Sequence, residues 1–184
     1  MLSKLVTPDE VESIIKHLPY DSTPGIDGLN YKAWTLLPKY SDLLSNIFNK
    51  WLTYGAIPME GCIAKLVLLY KKGNENELSN WRPISLQQSL TKIFMKIIQN
   101  RIINVIEHEK IMSNMQKGFL RNNGCLEHVQ SLSMILGNAR RGKHSICGVF
   151  YDIKNAFGCV PQDLIFEILK LHKFPKIIIN VIRS

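Results

Sequence analysis

Two groups of residues in this chain are of types that could do chemistry, a carboxylate that could hold a hard cation and a cluster of cations that could meet an anion. The first is Asp152, at the end of the apolar run Ile146-Cys147-Gly148-Val149-Phe150-Tyr151 and five residues before Phe157. Valine, phenylalanine and tyrosine suit a pleated, half-buried surface, so the run reads as a strand and the chain from Pro161 as a helix. A carboxylate fixed at a strand end could hold a hard divalent cation, although an Asp at such a place also caps turns. The second group is Lys71, Lys72 and Arg82. Ile63 to Tyr70 reads as a strand, Gly73 as a turn, and Trp81 to Leu86 as a second extended segment whose Pro83 forbids a central ladder position. Lys offers a point charge and Arg a planar fork for phosphate oxygens, and a solvated hairpin tip is the plainer alternative. Lys72 competes with Lys71, because a shift of one residue reverses the face a strand side chain takes.

Capping and periodicity indicate what positions these groups. Thr7, Pro8 and Glu10 form a helix start, with a Thr N-cap, Pro in the first turn and Glu placed for a capping box. Val11, Ile14, Ile15 and Leu18 share one apolar face, and Pro19 ends it. Asp21 to Gly28 is a loop with turn signals at Pro24-Gly25 and Asp27-Gly28, where Asp27 is placed to bond backbone amides. A helical stretch from Tyr31 to Tyr54, broken near Pro38, is expected to bury Leu43, Leu44, Ile47, Phe48, Trp51 and Leu52. From Leu90 to Ile106 the period is helical again, with Lys92 and Lys96 on a basic outer face. Further helices are expected from Glu127 to Arg140 and from Ile177, with the basic connection Arg140-Arg141-Gly142-Lys143-His144 leading to Asp152. The expected class is α+β and helix-rich.

Tyr151-Asp152-Ile153-Lys154-Asn155-Ala156-Phe157 resembles the first catalytic motif of reverse transcriptases, and four more segments agree in order. Pro24-Gly25-Ile26-Asp27-Gly28 looks like the Pro-Gly-x-Asp-Gly segment that opens the domain in non-LTR retrotransposons. Lys71-Lys72-Gly73 with Asn80-Trp81-Arg82-Pro83-Ile84-Ser85-Leu86 is similar to their fingers motif. Gln116-Lys117-Gly118-Phe119, with Gly124-Cys125-Leu126-Glu127 behind it, looks like the next. The resemblance covers residues 7–184. It implies an N-terminal helical segment over 1–60, fingers over 61–145, and the beginning of a palm over 146–184.

The resemblance also implies roles. Asp152 and the carbonyl of Ile153 would hold the divalent ions of a two-metal nucleotidyl transfer, magnesium in this family. Lys71 and Arg82 would meet the triphosphate, and Phe157 would stack on the deoxyribose of the nucleotide. Lys117, Gly118 and Arg121 would lie against the template strand. The implied partners are an RNA template, a DNA primer and deoxynucleoside triphosphates. Two departures stand out. Gly158 occupies a place where the family usually has Asp, and the chain has no Asp-Asp pair. The remaining palm carboxylates and the thumb are therefore expected in a full-length parent, and the 184 residues alone are expected to be a fragment without polymerase activity. The truncation is also expected to leave the helix from Ile177 with nothing to pack on. A non-enzymatic nucleic-acid-binding protein derived from a retroelement, or a degenerate fossil, is the alternative.

Composition is consistent with this. A net charge of +8 favours an anionic partner, nucleic acid being the usual one, and 46% hydrophobic with 21% charged residues argues against disorder. The four cysteines and five histidines show no ligand-like spacing, which argues against a zinc site and a disulfide framework. No apolar run reaches the length of a membrane span, and the first residues do not resemble a signal peptide. An intracellular protein, nuclear or cytoplasmic, is expected.

Overall fold

The computed structural model describes residues 2–19, 21–113, 115–118, 124–153 and 156–184, with the side chain of Cys125 outside that set. They form two compact units, Met1–Ile102 with Phe166–Ser184, and Ile103–Ile165. The expected α+β class holds: helices dominate, and among the described residues the one sheet is a strand pair.

In the first unit, α1 spans Pro8–Lys16 and Thr7 Oγ1 accepts from the Glu10 amide at 3.3 Å. The Glu10 carboxylate does not complete the capping box. It turns instead to Arg101. Helix α2 (Tyr31–Thr35) is capped by Asn30, whose Oδ1 accepts from the Ala33 amide at 3.1 Å. The break near Pro38 is present, and α3 runs Tyr40–Tyr54 before ending at Gly55, whose φ of 68° suits a residue without a Cβ. Leu44, Phe48, Trp51 and Leu52 are buried as expected, whereas Leu43 is 46% exposed. Spacings of four, seven and eight residues from Leu44 define the stripe and leave Leu43 on its flank.

Short α4 (Met59–Cys62) leads into β1 (Ala64–Tyr70), which pairs antiparallel with β2 (Trp81–Gln87). Helix α5 (Ser89–His108) buries Ile93, Phe94, Ile97 and Ile98, and the Phe94 ring lies 5.2 Å from those of both Phe48 and Trp51. Later in the chain come α8 (Gln162–Leu171) and α9 (Lys176–Arg183). The expectation that the helix from Ile177 has nothing to pack on is corrected. Ile178, Ile179 and Val181 are buried, and a Cβ on Gly55 would come within 2.9 Å of Ile177 Cδ1.

The second unit contains α6 (Gly124–Gly142) and α7 (Ala156–Cys159). Here the expected strand over 146–151 is overturned: residues 144–153 are irregular, and Val149, Phe150 and Tyr151 are 66, 86 and 92% exposed. A strand exists by virtue of a hydrogen-bonded neighbour, and among the described residues this run has none. No hydrophobic side chain is buried among the described residues of this unit.

Candidate functional site

The register of the hairpin decides where its cations stand. Leu69 faces Arg82 and Tyr70 faces Trp81, and the Lys71 amide donates to the Asn80 carbonyl at 2.9 Å, carrying the ladder one residue past β1. Residues paired across the ladder share a face, and every second residue returns to it. Leu69, Lys71 and Arg82 therefore belong to one exposed face, while the Tyr70 and Trp81 rings lie 5.3 Å apart on the other. Lys72 falls on the turn side of this alternation. The tip is folded by its own bonds. Gly73 has φ +103°, the Tyr70 hydroxyl donates to its carbonyl at 2.6 Å, and Trp81 Nε1 donates to the Glu75 carbonyl at 2.8 Å.

At the opposite end of the hairpin, the Pro24–Gly28 turn packs on the junction of β2 and α5. Asp27 Oδ1 accepts from the Leu29 amide at 3.3 Å, so the expected backbone bond forms. Gly25 is buried there, and Trp34 Nε1 donates to Ser89 Oγ at 2.7 Å. Lys92, read from the sequence as an outer-face residue, donates from Nζ to the Thr23 carbonyl at 3.0 Å and lies 5.9 Å from the centre of the Tyr31 ring. Burial pushes the Tyr31 phenol above its ordinary value, and a hydrogen bond with Ser22 opposes that shift.

In the second unit, the two halves of the motif around Lys117 meet. A Cβ on Gly124 would stand 2.8 Å from the Lys117 carbonyl oxygen, and Lys117 Nζ pairs with Glu127 Oε2 at 2.7 Å. That ammonium, by hydrogen bond and by charge, holds the Glu127 carboxyl below its usual value. Gly118 is exposed, and a Cβ on it would meet only Gln116 Nε2, at 3.5 Å. Arg121 lies outside the described residues. Asp152 is exposed, as are Ile153 at 72% and Phe157 at 89%. The Asp152 carboxylate and the Ile153 carbonyl are oxygen donors of the kind hard divalent cations take. Among the described residues, no group of three or more His, Cys, Asp or Glu side chains could hold a metal ion. Lys71 and Arg82 thus come together on one unit, and Lys117, Gly118, Asp152, Ile153 and Phe157 belong to the other.

Sequence reasoning missed Arg101. It is 7% exposed, and its guanidinium donates to both Glu10 carboxylate oxygens and to the carbonyls of Leu2, Lys4 and Leu5. The signal was present: Arg101 continues the buried stripe of Phe94, Ile97 and Ile98 at helical spacing.

Comparison with known proteins agrees with the motifs. A family model described as "Reverse transcriptase (RNA-dependent DNA polymerase)" matches residues 70–184. The "Probable RNA-directed DNA polymerase from transposon BS" of Drosophila melanogaster is 31% identical over 98% of this chain and 20% of its own length. The "RNA-directed DNA polymerase from mobile element jockey" of the same organism is 31% identical, over 97% of this chain and 20% of its own length. The "Retrovirus-related Pol polyprotein from type-1 retrotransposable element R2" of Popillia japonica is 27% identical, over 90% and 22% respectively. The chain spans about a fifth of the length of these curated relatives.

Proposed function

This chain belongs to the reverse transcriptase (RNA-dependent DNA polymerase) family, and on that premise we propose that it supplies the fingers and the first palm carboxylate of a non-LTR retrotransposon polymerase. The observation that carries the reading is the hairpin register, which sets Lys71 and Arg82 on one exposed face of a ribbon folded at both ends. A point charge beside a planar fork suits the oxygens of a triphosphate. Phe157 stacks on the deoxyribose, where a bulky ring would clash with a ribose 2′-hydroxyl. Lys117, Gly118 and Arg121 run along the backbone of the RNA template, meeting phosphates without reading sequence.

The family implies the use of divalent metal, and we take the ion to be Mg²⁺. When bound, it activates the primer 3′-hydroxyl and steadies the leaving pyrophosphate. The residues of this chain that would hold it are Asp152, by its carboxylate, and Ile153, by its carbonyl. The site of action is inside the cell, where template and primer are found.

The test is binding of an RNA–DNA hybrid and of deoxythymidine triphosphate by the purified chain. Hybrid affinity should fall steeply with salt, with a log–log slope of roughly −0.7 to −0.9 per phosphate neutralised, and Lys117→Gln should make it shallower by about one contact. Arg82→Ala should weaken the triphosphate by about 1.5–3 kcal/mol, the worth of a hydrogen bond to a charged group. Salt-insensitive hybrid binding, with an Arg82→Ala chain that holds the triphosphate normally, would remove the reading.

A further inference from the structure

The β1–β2 hairpin is exposed along most of its length, yet its base is gripped from two sides. On one side the Pro24–Gly28 turn presses on the chain where β2 passes into α5. A Cβ on Gly25 would stand 2.6 Å from Gln88 N and 2.7 Å from the Gln87 carbonyl oxygen. Those atoms are backbone, so no change of rotamer could make room for it. Trp34 Nε1 to Ser89 Oγ at 2.7 Å and Lys92 Nζ to the Thr23 carbonyl at 3.0 Å tie α5 to the same region. On the other side, Gln88 Nε2 donates to the Glu60 carbonyl and Thr91 Oγ1 to the Gly61 carbonyl, both at 2.8 Å.

A two-stranded ribbon has no third strand to fix its direction, so the direction comes from its base. Seven residues per strand make a lever of roughly 23 Å, and a tilt of roughly 10° at the base would move the far end by roughly 4 Å. Phosphate recognition by paired cations does not survive displacements of that size. We infer that Gly25 is a positioning residue: its missing side chain lets the Pro24–Gly28 turn set the direction of the hairpin and so the place of Lys71 and Arg82. The inference deepens the reading of those two residues as triphosphate ligands and rests on it.

The experiment compares the full chain with Gly25→Ala. The control is Gly137→Ala, because a Cβ on Gly137 would meet nothing within 4 Å. Amide exchange is followed by mass spectrometry, and deoxythymidine triphosphate binding with magnesium by calorimetry. Gly25→Ala should speed exchange in residues 81–92 at least tenfold while leaving α3 as it is, and should raise the triphosphate Kd at least threefold. The control should change neither. Unchanged exchange over 81–92 overturns the inference. So does a local exchange response with unaltered triphosphate affinity, provided Arg82→Ala weakens that affinity. If Gly25→Ala speeds exchange everywhere, Trp34→Phe decides, since it keeps a six-membered aromatic ring and removes the Nε1–H donor along with the five-membered half of the indole. A rise confined to 81–92 supports the brace and its absence overturns it. If Arg82→Ala leaves triphosphate binding intact, the fingers reading fails on its own, and the exchange response still answers for the brace.

Discussion

Among the described residues, every buried hydrophobic side chain belongs to the unit made of residues 1–102 and 166–184, and none to residues 103–165. The second unit does not lack apolar sequence. In α6, Leu126, Val129 and Leu136 are spaced as a helical stripe and are each more than half exposed. What differs is the supply of neighbours. In the first unit the Phe48, Trp51 and Phe94 rings meet one another, and α9 closes on α3 at Gly55. A hydrophobic pattern states which side of an element can be buried, and burial needs a second surface of matching shape. The same contrast divides the proposed catalytic parts. Lys71 and Arg82 sit on a hairpin whose base is bonded into a packed unit. Asp152 and Phe157 lie in a unit whose described residues bury no hydrophobic side chain.

The sharpest way to break the comparison is to cut an aromatic ring from each unit. Phe94 is fully buried, and Phe94→Ala should cost about 3–5 kcal/mol through lost transfer energy and a residual cavity. Phe150 is 86% exposed, and Phe150→Ala should stay within about 0.5 kcal/mol. Urea unfolding followed by circular dichroism measures both. A Phe150→Ala penalty comparable to that of Phe94→Ala would show that the second unit has a core of its own.

A somewhat smaller effect is expected at Arg101. Its side chain is 8% exposed and that of Glu10 30%, so the pair is only partly shielded from water. Removing the guanidinium leaves the Glu10 carboxylate and the carbonyls of Leu2, Lys4 and Leu5 to find other partners. Arg101→Ala should cost about 2–3 kcal/mol, below the range for a fully buried pair. Limited proteolysis should then cut first within residues 2–6, the segment that Asn49 also holds through Val6, at 2.6 and 3.0 Å. Uniform susceptibility along the chain would show that Arg101 stabilises the unit as a whole and does not tie down that segment in particular.

The parts legible from sequence are those whose cause is local. The Thr7 cap, the break at Pro38, the Gly73 turn and the strand pair around it follow from capping, φ restriction and alternation. Arg101 was missed and the tie from Lys92 was not legible for the opposite reason, since their partners stand 91 and 69 residues away. The run around Val149 read as a strand because its residue types favour one, but a ladder requires a neighbour that local sequence does not specify. Gly25 was read as a turn residue, and the close approach that makes it necessary involves Gln87 and Gln88.

The finest distinction concerns Lys117, a cation of the second unit paired with a carboxylate. Its Nζ lies 2.7 Å from Glu127 Oε2, and the same ammonium is proposed to meet template phosphate. Glu127 and the nucleic acid therefore compete for one charge. The Glu127 carboxyl is held below its ordinary value by the hydrogen bond from Lys117 and then by its charge. Desolvation opposes this weakly, and the charge of His128 adds to it. A carboxylate with a lowered folded value contributes stability above its unfolded value, and that contribution disappears as the pH falls through the folded value. Both groups are partly solvated, so the effect is small and salt should screen it. The Glu127 carboxyl resonance should titrate below the usual glutamate range and return to it in Lys117→Gln. Glu127→Gln should modestly strengthen hybrid binding at low salt and leave it unchanged at high salt. If Lys117→Gln does not move the Glu127 titration, the pair does not hold in solution. The approach of Gly124 to the Lys117 backbone would then be left to join the two halves of the motif.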